Sequence, residues 1–268
     1  MIAIGYTGGG AIGSICSALT SAGLGCYEYP GGHGALPAQG HQQIYKDLSA
    51  SGKKLSMHLS YYMSVTNPSL LNRNAQRVHE ACKAIASIGF DRLVVHAGSK
   101  KEPSRRDGLR ESYKQLAVLQ QIASQYGVSI CAETTGKVAQ IGSLSEVISL
   151  CKGIPGLVPC IDIGHVNSRT NGGCNDFTVQ QWLTVLQYIE KELGEQRAHK
   201  LHFHVSRQMY NSQGEIKHMR FEDTAYGPNW ENFVLALKSF GGDDIRVICE
   251  SAGTQLADAI TMLETLNN

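Results

Sequence analysis

A chain of 268 residues, 42% hydrophobic and 18% charged, suits one large domain with a buried core, and its formal net charge of +1 advertises neither a nucleic acid nor a membrane surface. The N-terminal MIAIGYTGGG has no basic region leading into a long apolar stretch, and no run approaches the roughly 18 apolar residues of a membrane span, so a cytoplasmic protein with no membrane partner is expected. The eight cysteines form no CxxC pair, and Cys26, Cys131, Cys160 and Cys249 sit inside apolar runs, which argues for reduced, packed thiols over bridges or thiolate metal sites.

Short β-rich runs are predicted at 2–5, 25–29, 54–59, 92–97, 129–134, 157–163, 200–205 and 246–251. The first two units are the least regular, because Gly8-Gly9-Gly10 and the stretch from Pro30 to Gly40 read as long loops. After the third run, Leu71, Ala75, Val78, Cys82, Ile85 and Ile88 keep the three-to-four spacing of one helix face, ended by Gly89. Further helical patterns lie near 109–126, 143–152, 177–193, 230–240 and 255–267, and Ser143 with Glu146 makes a capping box for one of them. Strand and helix alternate about eight times without a linker, which predicts an α/β fold: a single-domain (β/α)₈ TIM barrel over 1–268.

The apolar runs end in a consistent chemistry. His58 in LSMHL, His96 in RLVVHAG, Glu133 in SICAETTG, Asp162 and His165 in PCIDIGH, His202 in LHFHV and Glu250 in RVICES are all nitrogen or oxygen donors of the kind that Zn, Mn or Fe bind. Strand parity sets Leu201, Phe203 and Val205 against His202 and His204, and Ile161 and Ile163 against Asp162. The apolar side faces the helix ring and the donors face the barrel axis, converging at the C-terminal mouth where such barrels keep their active sites. Singly, each residue has a plainer reading as a hydrogen-bonded histidine or half of an ion pair, with Arg246 a candidate partner for Glu250. Together they are too many carboxylates for the few inward-facing cations, and a divalent cation cluster resolves the imbalance. His41, His79 and His199 read as structural, and His204 is left open.

In order and spacing, HLSYYM, VVHAGS, AETTGK, CIDIGH, LHFH, GEIKH and ICESAGTQ resemble the endonuclease IV family of xylose-isomerase-like barrels over nearly the whole chain. The resemblance implies a DNA-repair hydrolase that cuts at abasic sites with two or three zinc ions, Mn being an alternative. By motif, it implies one ion on His58, His96 and a bridging Glu133, a second on Glu133, Asp162, His202 and Glu250, and a third on His165 and His218. The family's Asp-x-His departs here, because Ile216 stands at the aspartate position and Glu215 one residue earlier. Tyr61, followed by Tyr62, matches an aromatic that presses into the DNA minor groove, whereas the loop EYPGGHG offers only His33 to DNA.

Phosphodiester hydrolysis fits this donor set, with Glu133 bridging ions and Glu250 orienting a hydroxide or accepting its proton. The expected phosphate contacts are Lys100, Lys101, Arg105 and Arg106 after the fourth strand, Arg169 after the sixth, and Arg207 and Arg220 after the seventh. Backbone N–H groups of Ser251-Ala252-Gly253-Thr254 could hold a phosphate at the last helix. The partner expected is DNA containing abasic sites, with no protein partner. The alternative is a one-metal sugar or sugar-phosphate isomerase or epimerase, which shares the Glu133, Asp162, His202 and Glu250 quartet but has no need of His58, His96 and His218. A third reading is a non-catalytic damage-binding protein that keeps a structural metal.

Overall fold

Eight strands, β1 (Ile2–Thr7), β2 (Cys26–Pro30), β3 (Lys54–His58), β4 (Phe90–His96), β5 (Ser129–Glu133), β6 (Val158–Asp162), β7 (His202–Val205) and β10 (Ile245–Cys249), pair in parallel and close into a barrel, β10 meeting β1. The computed structural model describes residues 1–9, 11–32, 35–60, 63–98 and 104–268. Helices α1 (Ile12–Ser21), α2 (Gln42–Ala50), α3 (Leu71–Ala86), α4 (Arg105–Ser124), α5 (Leu144–Gly153), α6 (Ile163–Arg169), α7 (Val179–Leu193), α8 (Glu195–Ala198), α9 (Trp230–Phe240) and α10 (Gln255–Asn267) intervene. The predicted TIM barrel is the fold of this chain.

The main core lies between the strands and the helix ring. On α3, Val78, Cys82 and Ile85 are buried and Ala75 packs beside them, the face marked by the sequence period. Ser143 and Glu146 cap α5 reciprocally as their spacing predicts. Ile130 and Ala132 face the helices, while their neighbours Cys131 and Glu133 turn to the axis. All eight cysteines are free, seven of them buried. Among the described residues no helix is long and apolar enough to cross a membrane.

An antiparallel hairpin, β8 (Arg207–Asn211) and β9 (Gly214–Met219), follows β7 directly, and the sequence reading missed it. It docks on the loop after β5: the Val138 amide donates to the Gln213 carbonyl and the Glu215 amide to the Gly136 carbonyl.

The opposite end of the barrel is closed by charge. The buried Arg246 guanidinium grips Asp91 at 2.6 and 2.7 Å and Asp244 at 3.3 Å, while Arg92 donates to the Leu201 and Lys200 carbonyls and to Asp244. Arg246 therefore belongs to the barrel floor and does not neutralise Glu250, which lies past the other end of the same strand. Arg246→Leu would remove a buried cation from two carboxylates, and about 3 kcal/mol of stability should be lost in urea unfolding. An unchanged midpoint would show that the floor adds no stability.

Candidate metal centre

Six adjacent strands bring the donors together. His58, His96 and Glu133 close β3, β4 and β5; Asp162 closes β6 and caps α6, its carboxylate accepting from the His165 amide at 2.8 Å. That cap holds His165 one turn above Asp162 on the same helix face. Glu250 follows β10, and His204 projects inward from β7.

Glu133 is the hub. Its Oε2 lies 2.9 Å from His58 Nε2 and 3.0 Å from His96 Nε2, and its Oε1 lies 3.1 Å from His204 Nδ1 and 3.5 Å from His165 Nδ1. Burial alone would raise its pKa, but His96, His204 and His58 hold it well below the ordinary carboxylate value. Burial would likewise lower His58, yet the Glu133 carboxylate pushes that imidazole up to about 9. Glu250 sits above its usual value, chiefly because of burial.

The ring nitrogens are sorted as in metal sites. His58 Nδ1 lies 2.7 Å from the Leu59 carbonyl, His165 Nδ1 2.9 Å from that of Thr134, and His218 Nδ1 3.0 Å from that of Glu250. An Nδ1–H donated to each carbonyl leaves Nε2 with a free lone pair aimed at carboxylates, the tautomer a ligating histidine needs. Asp162 Oδ2 is buried with no hydrogen-bond partner and has His165 Nδ1 at 3.3 Å, a costly state unless a cation, imidazolium or metal, claims it. Among the described residues the potential ion-holding groups are His58 with His96 and Glu133; Glu133 with Asp162, His204 and Glu250; Asp162 with His165 and His218; and, deeper and fully buried, Cys160 with His202 and His204. This donor set fits divalent ions that accept nitrogen and oxygen.

The hairpin completes the third group despite Ile216. Glu215 pairs with Tyr210 and Lys217 with Met209, so Ile216 is the extra residue of a bulge and is half exposed. Residues three apart on a regular strand face opposite ways; the bulge restores the phase, and Glu215 and His218 face one side. Glu215 lies 3.4 Å from His165 Nε2 and 3.6 Å from His218 Nε2, and these imidazoles bring its pKa down to about 2 against the effect of burial. Gly136 permits the approach, since a Cβ there would stand 2.5 Å from Glu215 Cβ and 2.8 Å from His165 Cδ2. Gly136→Ala should displace Glu215 and remove one equivalent of bound metal, read by mass spectrometry; full retention would mean that Glu215 is not a ligand.

Five expected residues need correction. His202 does not join Glu133, Asp162 and Glu250: it lies one register step below, beside Arg246 on β10, and contacts Glu28 at 3.1 Å, while His204 takes the place the motif gave it. Burial depresses the His202 pKa to about 4. Arg169 and Arg207 are not free for phosphate. Arg169 donates to the carbonyls of Thr135, Lys137, Val138 and Gln140, pinning the loop under the hairpin, and Arg207 donates to those of Phe221 and Tyr226. Arg105 and Arg220 likewise pair with Glu146 and Glu222. Tyr61, Tyr62, Lys100, Lys101 and His33 lie outside the described residues.

Sequence reasoning also missed Glu28, fully buried on β2 and in contact with His202, His204 and Ser56. A carboxylate between two tyrosines of a short strand was the available signal, but it stands inside the run and does not close it. At the rim, Lys137 and Gln140 join the donors around an open cavity of about 440 Å³. Lys137 is exposed and has no ion pair among the described residues.

Against known proteins, residues 16–266 match the family model described as a xylose isomerase-like TIM barrel. The uncharacterized protein MJ0133 of Methanocaldococcus jannaschii is 26% identical over 228 residues, 83% of this chain and 81% of its own length. Among solved structures, a D-tagatose 3-epimerase-like protein superposes with a TM-score of 0.71 at 16% identity, covering 99% of this chain and 98% of its own. An L-ribulose 3-epimerase gives 0.68 at 11% identity, covering 100% and 92%. At these identities the likeness shows the fold.

Proposed function

We propose that this chain, which belongs to the xylose isomerase-like TIM barrel family, is a divalent-metal-dependent hydrolase of phosphate esters, of the endonuclease IV kind, with abasic-site DNA the first substrate to test. The observation that carries this reading is the excess of donors. Glu133, Asp162, His204 and Glu250 would suffice for one ion, yet His58, His96, His165, His218 and Glu215 gather around the same mouth with ring nitrogens presented to carboxylates. Divalent ions on such donors supply Lewis acidity and lower the pKa of water, the requirement of phosphoester hydrolysis. Glu133 would bridge, because each of its oxygens faces a different set of imidazoles. Glu250, partly exposed and raised in pKa, is suited to take a proton from the attacking water. Lys137 at the rim is the described cation free to meet substrate phosphate.

A second reading is a sugar isomerase or epimerase working with one ion. The names of the structural neighbours favour it over DNA repair, the quartet with His204 meets its needs, and a monosaccharide fits the cavity. Metal equivalents per chain, nicking of an abasic duplex and turnover of a ketose panel separate the two. Two or three ions with incision support the hydrolase; one ion with ketose turnover and no incision replaces it by the epimerase.

A further inference from the structure

Beneath the donors lies a buried polar layer to which neither reading gives a role: Glu28, Ser56 and His202. Glu28 Oε2 accepts from the Ser56 hydroxyl at 2.8 Å and stands 3.1 Å from His202 Nε2, while its Oε1 stands 3.0 Å from His204 Nε2; both imidazole contacts are at ion-pair distance without hydrogen-bond geometry, so charge is what couples them. His204 turns its other nitrogen, Nδ1, to Glu133 at 3.1 Å and to Glu250 at 3.4 Å. His204 thus differs from His58, His165 and His218. Each of those has its rear nitrogen near a neutral backbone carbonyl, joined at His165 by Asp162 at 3.3 Å; His204 has a buried carboxylate, Glu28, behind it instead.

We propose that Glu28 is the positioning residue for the ion that Glu133, Asp162, His204 and Glu250 would hold, the central ion: its charge behind His204 favours a protonated Nε2 and leaves Nδ1 turned to Glu133 and Glu250. A carboxylate behind a ligating imidazole sets the tautomer, orients the ring and raises its basicity. Ser56 and His202 hold Glu28 in turn: the seryl proton goes to Oε2, and His202 fills the remaining space below without reaching Asp162 or Glu250. The inference rests on the metal-binding part of the proposed function, with the His58–His96 and His165–His218 groups also holding ions.

Glu28→Gln, nearly isosteric, is the test, with zinc affinities measured by chelator competition and His204 followed by ¹⁵N NMR in the zinc-loaded protein. One ion should bind about 10–100-fold more weakly, the usual cost of losing such a partner. Ions held by His58 with His96 and by His165 with His218 should keep their affinities, which a general loosening of the barrel would not allow. The His204 nitrogen shifts should lose the single Nε2–H tautomer of the wild type. Should Glu28→Gln fail to fold, Ser56→Ala, which frees one Glu28 oxygen, should weaken the same ion several-fold. Equal affinities in variant and wild type overturn the role of Glu28. A wild-type chain that binds no zinc overturns the metal reading itself, so the two failures are told apart. His202→Gln should leave the central ion within a few-fold; its loss would restore His202 as the ligand.

Discussion

Glu133→Gln should cost at least one equivalent of bound metal and lower turnover about 10³-fold, the upper range for removing one preorganised electrostatic group. The side chain lies within 3.1 Å of His58, His96 and His204, so its negative charge serves several imidazoles at once. Glutamine keeps the volume and one acceptor oxygen but points an amide N–H₂ at nitrogens that should carry lone pairs. The same change predicts an effect in metal-free protein. His58 is held up to about 9 by the Glu133 charge against its own burial, so without that charge burial takes over and the imidazole should titrate below its ordinary 6.5. Metal analysis, single-turnover kinetics and His58 NMR titration read the three effects. A variant with wild-type metal content and a His58 still titrating near 9 would remove Glu133 from the centre of this site.

Stability should depend on pH with opposite slopes in metal-free and metal-loaded protein. In metal-free protein the folded pKa of His58 is raised above its unfolded value of 6.5. Its contribution is therefore complete below about pH 6.5 and lost as pH rises through about 9. The shift sets an upper figure of roughly 3 kcal/mol. His165 and His204 are raised as well and act in the same direction. Metal binding demands the deprotonated rings, so in loaded protein the stabilisation by the ion falls toward acid and protons are released on binding. Groups of the opposite sign act outside the window of 6.5 to 9: His202, depressed to about 4, matters below pH 6.5, and Asp91 and Asp244, both lowered by Arg246 and Arg92 against burial, matter only near and below 3.8. Melting curves from pH 6 to 9 with and without zinc should converge at low pH and separate at high pH. Parallel curves would mean that these histidines do not hold the ion.

The architecture was legible because it rests on local patterns. Alternation within strands and the three-to-four spacing of α3 report which side of each element is buried, and the eightfold alternation leaves few closures. Most donors were legible for the same reason: a histidine or carboxylate that ends an apolar strand of a parallel barrel must lie at the mouth. His58, His96, Glu133, Asp162 and Glu250 needed no tertiary information to be found.

Other residues depended on distances that sequence does not carry. His202 and His204 share a strand face, so parity treats them alike; only the stagger between β6, β7 and β10 sets His204 level with Asp162 and His202 level with Arg246. The bulge at Ile216 shifts the phase of β9 by one residue, which turns Glu215 toward His165 where a regular strand would have faced it away. Arg169 and Arg207 look like phosphate ligands by charge and position until the nearby carbonyls are seen to occupy their guanidinium groups. Sequence by itself determined the barrel, its open end and the chemical type of its donors, because period and parity are properties of single elements. Which nitrogen meets which oxygen, and so how Glu28 stands behind His204, was decided by the tertiary structure, because those contacts span strands far apart in the chain.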